Sequence, residues 1–207
     1  MPYSSSRIDS KAERSALVRG ALSVARQAHA GQSRHTGCDE VPFVDHPLAV
    51  AELLEEHGFA DEVVAAGLLH DVAEHAEVEP GSLRGRFGDE VVELVEALTE
   101  DDSIADYEER KEEHRERVAA AGDGARAVFA ADKTANVIVV RGAYEVLGEE
   151  VDRDLPVSLD LKILVWEFDL EMLFSSEPEG APLVDRFADE MVGLWGQRAE
   201  DERATLC

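Results

Sequence analysis

The sequence predicts an all-α fold, and three observations carry the prediction. Apolar residues recur at helical spacing along most of the chain, as in Val91, Val92, Leu94, Val95 and Leu98. Turn-forming residues are confined to short interruptions such as "GQSRHTGCDEVPF" and "EPGS". Helix start and stop residues bracket the periodic runs, with Pro47 suited to a first turn and Gly58 to a C-terminal stop.

In chain order, residues 1–10 are expected to form a loose tail, followed by a helix over 11–30. The polar loop then leads to helices over "HPLAVAELLEEHG" and "DEVVAAGLLHDVAEHA", the second with Asp61 as a candidate N-cap. A short helix over Leu83–Phe87 precedes one over "DEVVELVEALT". The charged stretch "YEERKEEHRERVAAAG" is expected to be an exposed helix, and "GARAVFAADKTANVIVVRGAYEVL" a long one. Residues 159–174 partly alternate as a strand would, but Leu161, Leu164, Val165 and Phe168 also fit a helix, which the helical context favours. "LVDRFADEMVGLW" is a last amphipathic helix, and the end around "AEDERATLC" is expected to be loose.

A chain of 207 residues with 44% hydrophobic residues can bury one sizeable core. A formal net charge of −26 repels polyanions, so nucleic acid and anionic membrane are excluded as expected partners. A small anionic substrate fits only where basic residues gather, as Lys11, Arg14, Arg19, Arg26 and Arg34 do. Two cysteines, Cys38 and Cys207, build no secreted-type disulfide framework. The start "MPYSSSRIDSKAERS" has no signal-peptide core, and no apolar run reaches the roughly 20 residues that span a bilayer. A cytoplasmic location is expected; oligomeric state is left open.

Two apolar helices carry charge. At about 100° per residue, His70, Asp71, Glu74 and His75 share one side of a helix whose preceding turns are apolar all round. A carboxylate there is costly to bury without a partner or a metal. "AVFAADKTANVIVV" repeats the pattern, with Asp132 and Lys133 inside an apolar run and Asn136 one turn on from Asp132. With His46 at a helix entry, His46, His70, Asp71 and Asp132 would make a mixed nitrogen and oxygen set suited to Mn²⁺ or a similar divalent ion. The bland alternatives are a chance His-Asp dipeptide, a helix-start histidine, a buried Asp132–Lys133 ion pair and a satisfied core amide at Asn136.

The ordered series "AHAGQSRHTG", "FVDHPLAVAELL", "AAGLLHDVAEH", "FGDEVVELVEALTED" and "FAADKTANV" resembles the hydrolase domain of the RelA/SpoT family. Its likeness is to the stand-alone small alarmone hydrolases among the HD-domain phosphohydrolases, over roughly residues 12–140. The resemblance implies an HD-domain helical bundle over 11–145, with residues 146–207 as additional C-terminal helices packing on the same domain. It implies one Mn²⁺ or similar cation on His46, His70, Asp71 and Asp132. It implies a nucleotide pocket lined by Arg34, His35, Lys133 and Asn136, and removal of the 3′-diphosphate from guanosine tetra- and pentaphosphate. Glu74, one turn from His70, is then placed to orient a water or move its proton, and His75 is a second candidate acid or base.

Three positions depart from the family pattern. His75 stands where relatives have aspartate, His35 where lysine is common, and Ile138 where arginine is common, with Arg141 nearby. These changes keep two alternatives in view: phosphatase action on another nucleotide such as NADPH or a nucleoside triphosphate, and a catalytically degenerate nucleotide-binding regulatory protein.

Overall fold

The computed structural model describes residues 6–35, 40–75, 78, 80–176 and 181–205, with the side chain of His75 outside that description. The chain runs as α1 (Ser6–Arg14), α2 (Ala16–Ala28), β1 (Ser33–His35), β2 (Glu40–Pro42), α3 (Asp45–Glu56), α4 (Asp61–Leu69) and α5 (Val72–His75). It continues as α6 (Pro80–Leu98), α7 (Tyr107–Ala121), α8 (Asp123–Leu147), a 3₁₀ segment (Gly148–Asp154), α9 (Leu159–Ser176) and α10 (Pro182–Thr205). The all-α expectation is met; the strands form only a three-residue antiparallel ladder in which Arg34 pairs with Val41.

The first expected helix is two. Ser15 leaves helical geometry at φ −117° and ψ 117°, and its side chain accepts the Val18 N–H, capping α2. Residues 6–10, expected in a loose tail, belong to α1. Ile8 is fully buried, and its N–H donates to Glu52 Oε1 of α3 at 3.0 Å. Asp61 is not an N-cap but the first residue of α4, where its carboxylate pairs with Lys11 Nζ at 2.9 Å. The helix through "LLHDVAEH" is interrupted after Leu69, so His70 and Asp71 form a turn between α4 and α5 rather than one continuous face. Gly88, at φ 84°, divides α6 where the sequence places a boundary between two helices.

The core is apolar and continuous. Val50, Ala51 and Leu54 of α3 meet Val64, Ala65, Leu68 and Leu69 of α4, and α8 contributes Val128, Ala131 and Val137. Burying a large aliphatic side chain contributes about 1.5–3 kcal/mol each, and this core holds α3, α4 and α8 rigidly against one another. The close approach of α3 and α4 depends on Gly67, where an added Cβ would lie 2.5 Å from Leu54 Cδ1.

Residues 159–176 are helical, as the context favoured, with Leu159, Ile163, Trp166, Leu170 and Leu173 buried at helical spacing. Helix α10 packs along α8, and α9 packs against α7. Arg141 of α8 pairs with Glu190 of α10 at 2.9 Å. No helix among the described residues is long and apolar enough to cross a membrane.

Candidate active site

Three separate elements deliver the histidines and acids to one place. His46 enters at the first turn of α3, His70 and Asp71 at the C-terminal end of α4, and Asp132 from the middle of α8. His46 Nε2 lies 3.0 Å from Asp132 Oδ1 and 3.5 Å from Asp71 Oδ2. His70 Nε2 lies 3.3 Å from Asp71 Oδ1 and 3.9 Å from Asp132 Oδ1. Donor atoms of His46, His70 and Asp132 all fall within 4.8 Å of one another.

His70 shows what this cluster suits. Its Nδ1 lies 2.8 Å from the Gly67 carbonyl, which fixes a proton on that nitrogen. Its Nε2 is buried without a hydrogen-bond partner among the described residues, and faces the two carboxylates. Second-side anchoring of this kind orients imidazole ligands in metal sites. Two imidazoles with two carboxylates are a donor set for a hard or borderline divalent cation. The residues present therefore fit such an ion.

The electrostatics agree. Burial disfavours charge on His70, but Asp71 and Asp132 outweigh it and hold its pKa above the ordinary value. Burial dominates at His46 and keeps that ring neutral, against the pull of Asp132 and Asp71. Burial would raise Asp132, yet Lys133 and the two histidines hold its carboxyl well below the usual range. The centre is thus a field that draws positive charge.

Around it lies a cavity of about 620 Å³, within the range of small-molecule sites. Glu74 lines it, with Oε1 accepting the Glu100 backbone N–H at 2.6 Å. Burial raises the Glu74 pKa, and Asp71 and Glu100 add to the rise. Arg34 reaches in from β1 and donates to Asn136 Oδ1 at 3.1 Å, while Asn136 Nδ2 donates to Asp132 Oδ1 at 2.7 Å. Lys133 Nζ donates to Asp132 Oδ2 at 2.8 Å and sits 4.4 Å from the centre of the Phe129 ring.

His46, His70, Asp71, Asp132, Glu74, Arg34, Lys133 and Asn136 therefore converge. His35 does not: it follows Arg34 on a strand, is exposed, and is absent from the cavity lining, as alternation of strand side chains requires. Arg141 does not supply the cation absent at Ile138, because it turns to Glu190. Lys162 of α9 enters the cavity instead, stacked 5.0 Å over Trp166. Tyr107, Arg110 and Lys111 of α7 and Asp169 of α9 complete the wall. Sequence reading missed these residues because α7 looked uniformly exposed and α9 lay beyond any motif. The i, i+4 pairing of Lys162 with Trp166 was the one available signal.

An HD domain with a histidine–aspartate centre is what this bundle and cluster define, and the HD domain family model matches residues 21–146. The chain belongs to the HD domain family. Over 99 residues, 48% of this chain and 14% of the other, it is 39% identical to a guanosine-3′,5′-bis(diphosphate) 3′-pyrophosphohydrolase of Vibrio cholerae. Over 203 residues, 92% of this chain and 23% of the other, it is 32% identical to a GTP pyrophosphokinase of Streptomyces coelicolor. The chain thus spans less than a quarter of the length of either relative. A solved structure of a metazoan ortholog of SpoT, described as hydrolysing ppGpp, is 25% identical at a TM-score of 0.69, covering 85% of this chain and 94% of that one. The RelA/SpoT-type HD fold implied by the motifs is met.

Proposed function

We propose that this chain is a divalent-metal-dependent nucleotide phosphohydrolase that removes the 3′-diphosphate from ppGpp and pppGpp. The observation that carries the reading is His70 Nε2, buried, without a hydrogen-bond partner among the described residues, and facing Asp71, Asp132 and His46. The ligands are proposed to be His46, His70, Asp71 and Asp132, with Mn²⁺ or a similar divalent cation as the ion, which a mixed set of two imidazoles and two carboxylates suits. When bound, such an ion supplies Lewis acidity at a phosphoryl oxygen and acidifies a water.

The protein's own groups do the rest. Glu74, with one oxygen fixed by the Glu100 N–H and a raised pKa, accepts the proton of the attacking water. Arg34 presents a planar fork for phosphate or a face for a base, braced by Asn136. Lys133 and Lys162 neutralise charge on the phosphates, as phosphoryl transfer demands. Water adds at phosphorus, the ester bond to the ribose 3′ oxygen breaks, that oxygen takes up the proton Glu74 received, and pyrophosphate departs. The similarity to the Vibrio and metazoan proteins supports this substrate over other nucleotides. Residues 146–207 are read as part of the same domain, since α9 walls the cavity and α10 packs on α8.

The deciding experiment measures bound metal in the purified chain, then assays ppGpp, NADPH and nucleoside triphosphates with added Mn²⁺. Release of pyrophosphate from ppGpp, abolished by Asp132→Asn and by chelation, is expected. Phosphate release from NADPH or a triphosphate, with little from ppGpp, would move the substrate. Binding without turnover in every case would make the chain a regulatory nucleotide binder.

A further inference from the structure

Arg117 of α7 is absent from the cavity lining, yet it grips the segment that holds the proposed proton acceptor. One edge of its guanidinium bonds the Glu113 carboxylate twice, Nε to Oε1 at 3.1 Å and Nη2 to Oε2 at 2.8 Å. That bidentate pair sets the plane of the fork. The remaining nitrogen, Nη1, donates to the Glu96 carbonyl at 3.2 Å and to the Thr99 carbonyl. Glu96 lies in the last turn of α6 and Thr99 just past its end. Basic side chains often cap helix C-termini in this way, and stability alone would account for that much.

The Thr99 carbonyl has a second consequence, because it shares a peptide group with the Glu100 N–H. That N–H donates to Glu74 Oε1 at 2.6 Å. In a planar trans peptide the C=O and N–H point in opposite directions, so fixing the carbonyl on Arg117 aims the N–H at Glu74. A cation on the carbonyl oxygen also polarises the group and strengthens its donor. Helix α5, which carries Glu74, is only four residues long, so its own backbone ladder gives the side chain little support. On the cavity side the Glu100 carboxylate is anchored by Arg110 Nε at 3.1 Å and by Lys111 Nζ. The peptide is thus held from both sides, and Arg117 is the one holder that stands outside the cavity.

We propose that Arg117 is a positioning residue for Glu74: by gripping the Thr99 carbonyl it orients the Thr99–Glu100 peptide, whose N–H holds the Glu74 carboxylate in place. Helix α7 then supports the reacting end of the site as well as walling it. This rests on the proposed reading of Glu74 as the proton acceptor.

Single-turnover hydrolysis of ppGpp by the full chain, with Mn²⁺ and enzyme in excess, tests it by separating the rate of the chemical step from half-saturation. Arg117→Ala should lower the rate about tenfold, the order expected when a reacting group is held slightly out of place. Half-saturation should stay within about twofold of wild type, because Arg117 lies outside the cavity. Arg117→Lys keeps one charged donor and should lose less; it is the deciding variant if the truncation does not fold. Arg126→Ala removes a comparable clamp, from the Ala119 carbonyl of α7, and should leave the rate within about twofold, being independent of Glu74. In a Glu74→Gln background, adding Arg117→Ala should change the rate less than about twofold, since both act through one carboxylate. Folded Arg117 variants with the wild-type rate overturn the proposal. So does an equal loss in Arg126→Ala, or a tenfold loss that persists without the Glu74 carboxylate. A Glu74→Gln variant with the wild-type rate, or a wild-type chain that does not cleave ppGpp, overturns the functional reading and this proposal with it.

Discussion

Arg34 and Asn136 stand 102 positions apart in the chain, and the guanidinium Nη2 lies 3.1 Å from the amide oxygen. The bond ties the hairpin to the middle of α8, and through Asn136 Nδ2 to Asp132. It fixes which way the Arg34 fork faces before any ligand arrives, so the side chain surrenders little rotamer freedom on binding.

Arg34→Ala is therefore expected to raise KM for ppGpp at least about tenfold, the loss of one charge-assisted contact, with a smaller change in kcat. Arg34→Lys should recover only part of it, because an ammonium cannot bond Asn136 and a ligand in one plane. Steady-state kinetics with both variants check this; full recovery by lysine would show that only the charge matters.

Lys162 should set an alkaline limit on activity. Burial pushes its pKa down to about 8, with Lys133 and Lys111 adding to the effect. As pH rises through that value the free protein loses a pocket cation, so kcat/KM for a polyanion should fall above pH 8. Lys162→Arg should move the fall to higher pH, and Lys162→Met should lower kcat/KM about tenfold at pH 7 and flatten the profile.

The fold should weaken in acid in two stages. His114 is pushed down to about 3 from 6.5, first by burial and then by Lys133, and Glu100 is held at about 2 against 4.5, with Lys111 and Lys133 outweighing its burial. Both folded pKa values lie below the unfolded ones. The stability is therefore complete above pH 6.5 and is lost from there toward 3 for His114, and from 4.5 toward 2 for Glu100. Each group contributes a slope of up to about 1.4 kcal/mol per pH unit. Urea midpoints across pH 7 to 2 report both stages, and His114→Leu should remove the upper one.

Gly67 carries two burdens, admitting Leu54 of α3 and presenting its carbonyl to His70 Nδ1. Gly67→Ala should cost about 1–3 kcal/mol by overpacking against Leu54, and Mn²⁺ binding should weaken to the extent that α4 yields rather than the Leu54 side chain, because His70 moves with α4. Thermal melts and metal titration together test this; a destabilised variant with intact metal affinity would separate the two roles.

Much of this protein was legible before folding. The helices follow apolar spacing, a local property of the chain. His70, Asp71 and Asp132 were legible as charged groups set in apolar helices, where burial demands a partner, and His46 only as a histidine at a helix entry. Harder to read were the break after Leu69 and the Ser15 cap, because a helix can run through such residues unless tertiary packing ends it. The exposed look of α7 also misled: Tyr107, Arg110 and Lys111 turn inward because α9 covers them.

By itself the sequence determined the all-helical class, the order of the motifs and the chemistry available at the centre, because helix periodicity and the cost of burying charge act over a few residues. Only the tertiary structure decided that Lys162 and Asp169 join the site, that His35 stays outside it, and that Arg141 answers Glu190 rather than a ligand. Those outcomes depend on where α9 and α10 pack against α7 and α8, and helix packing is set by surfaces that meet from distant parts of the chain.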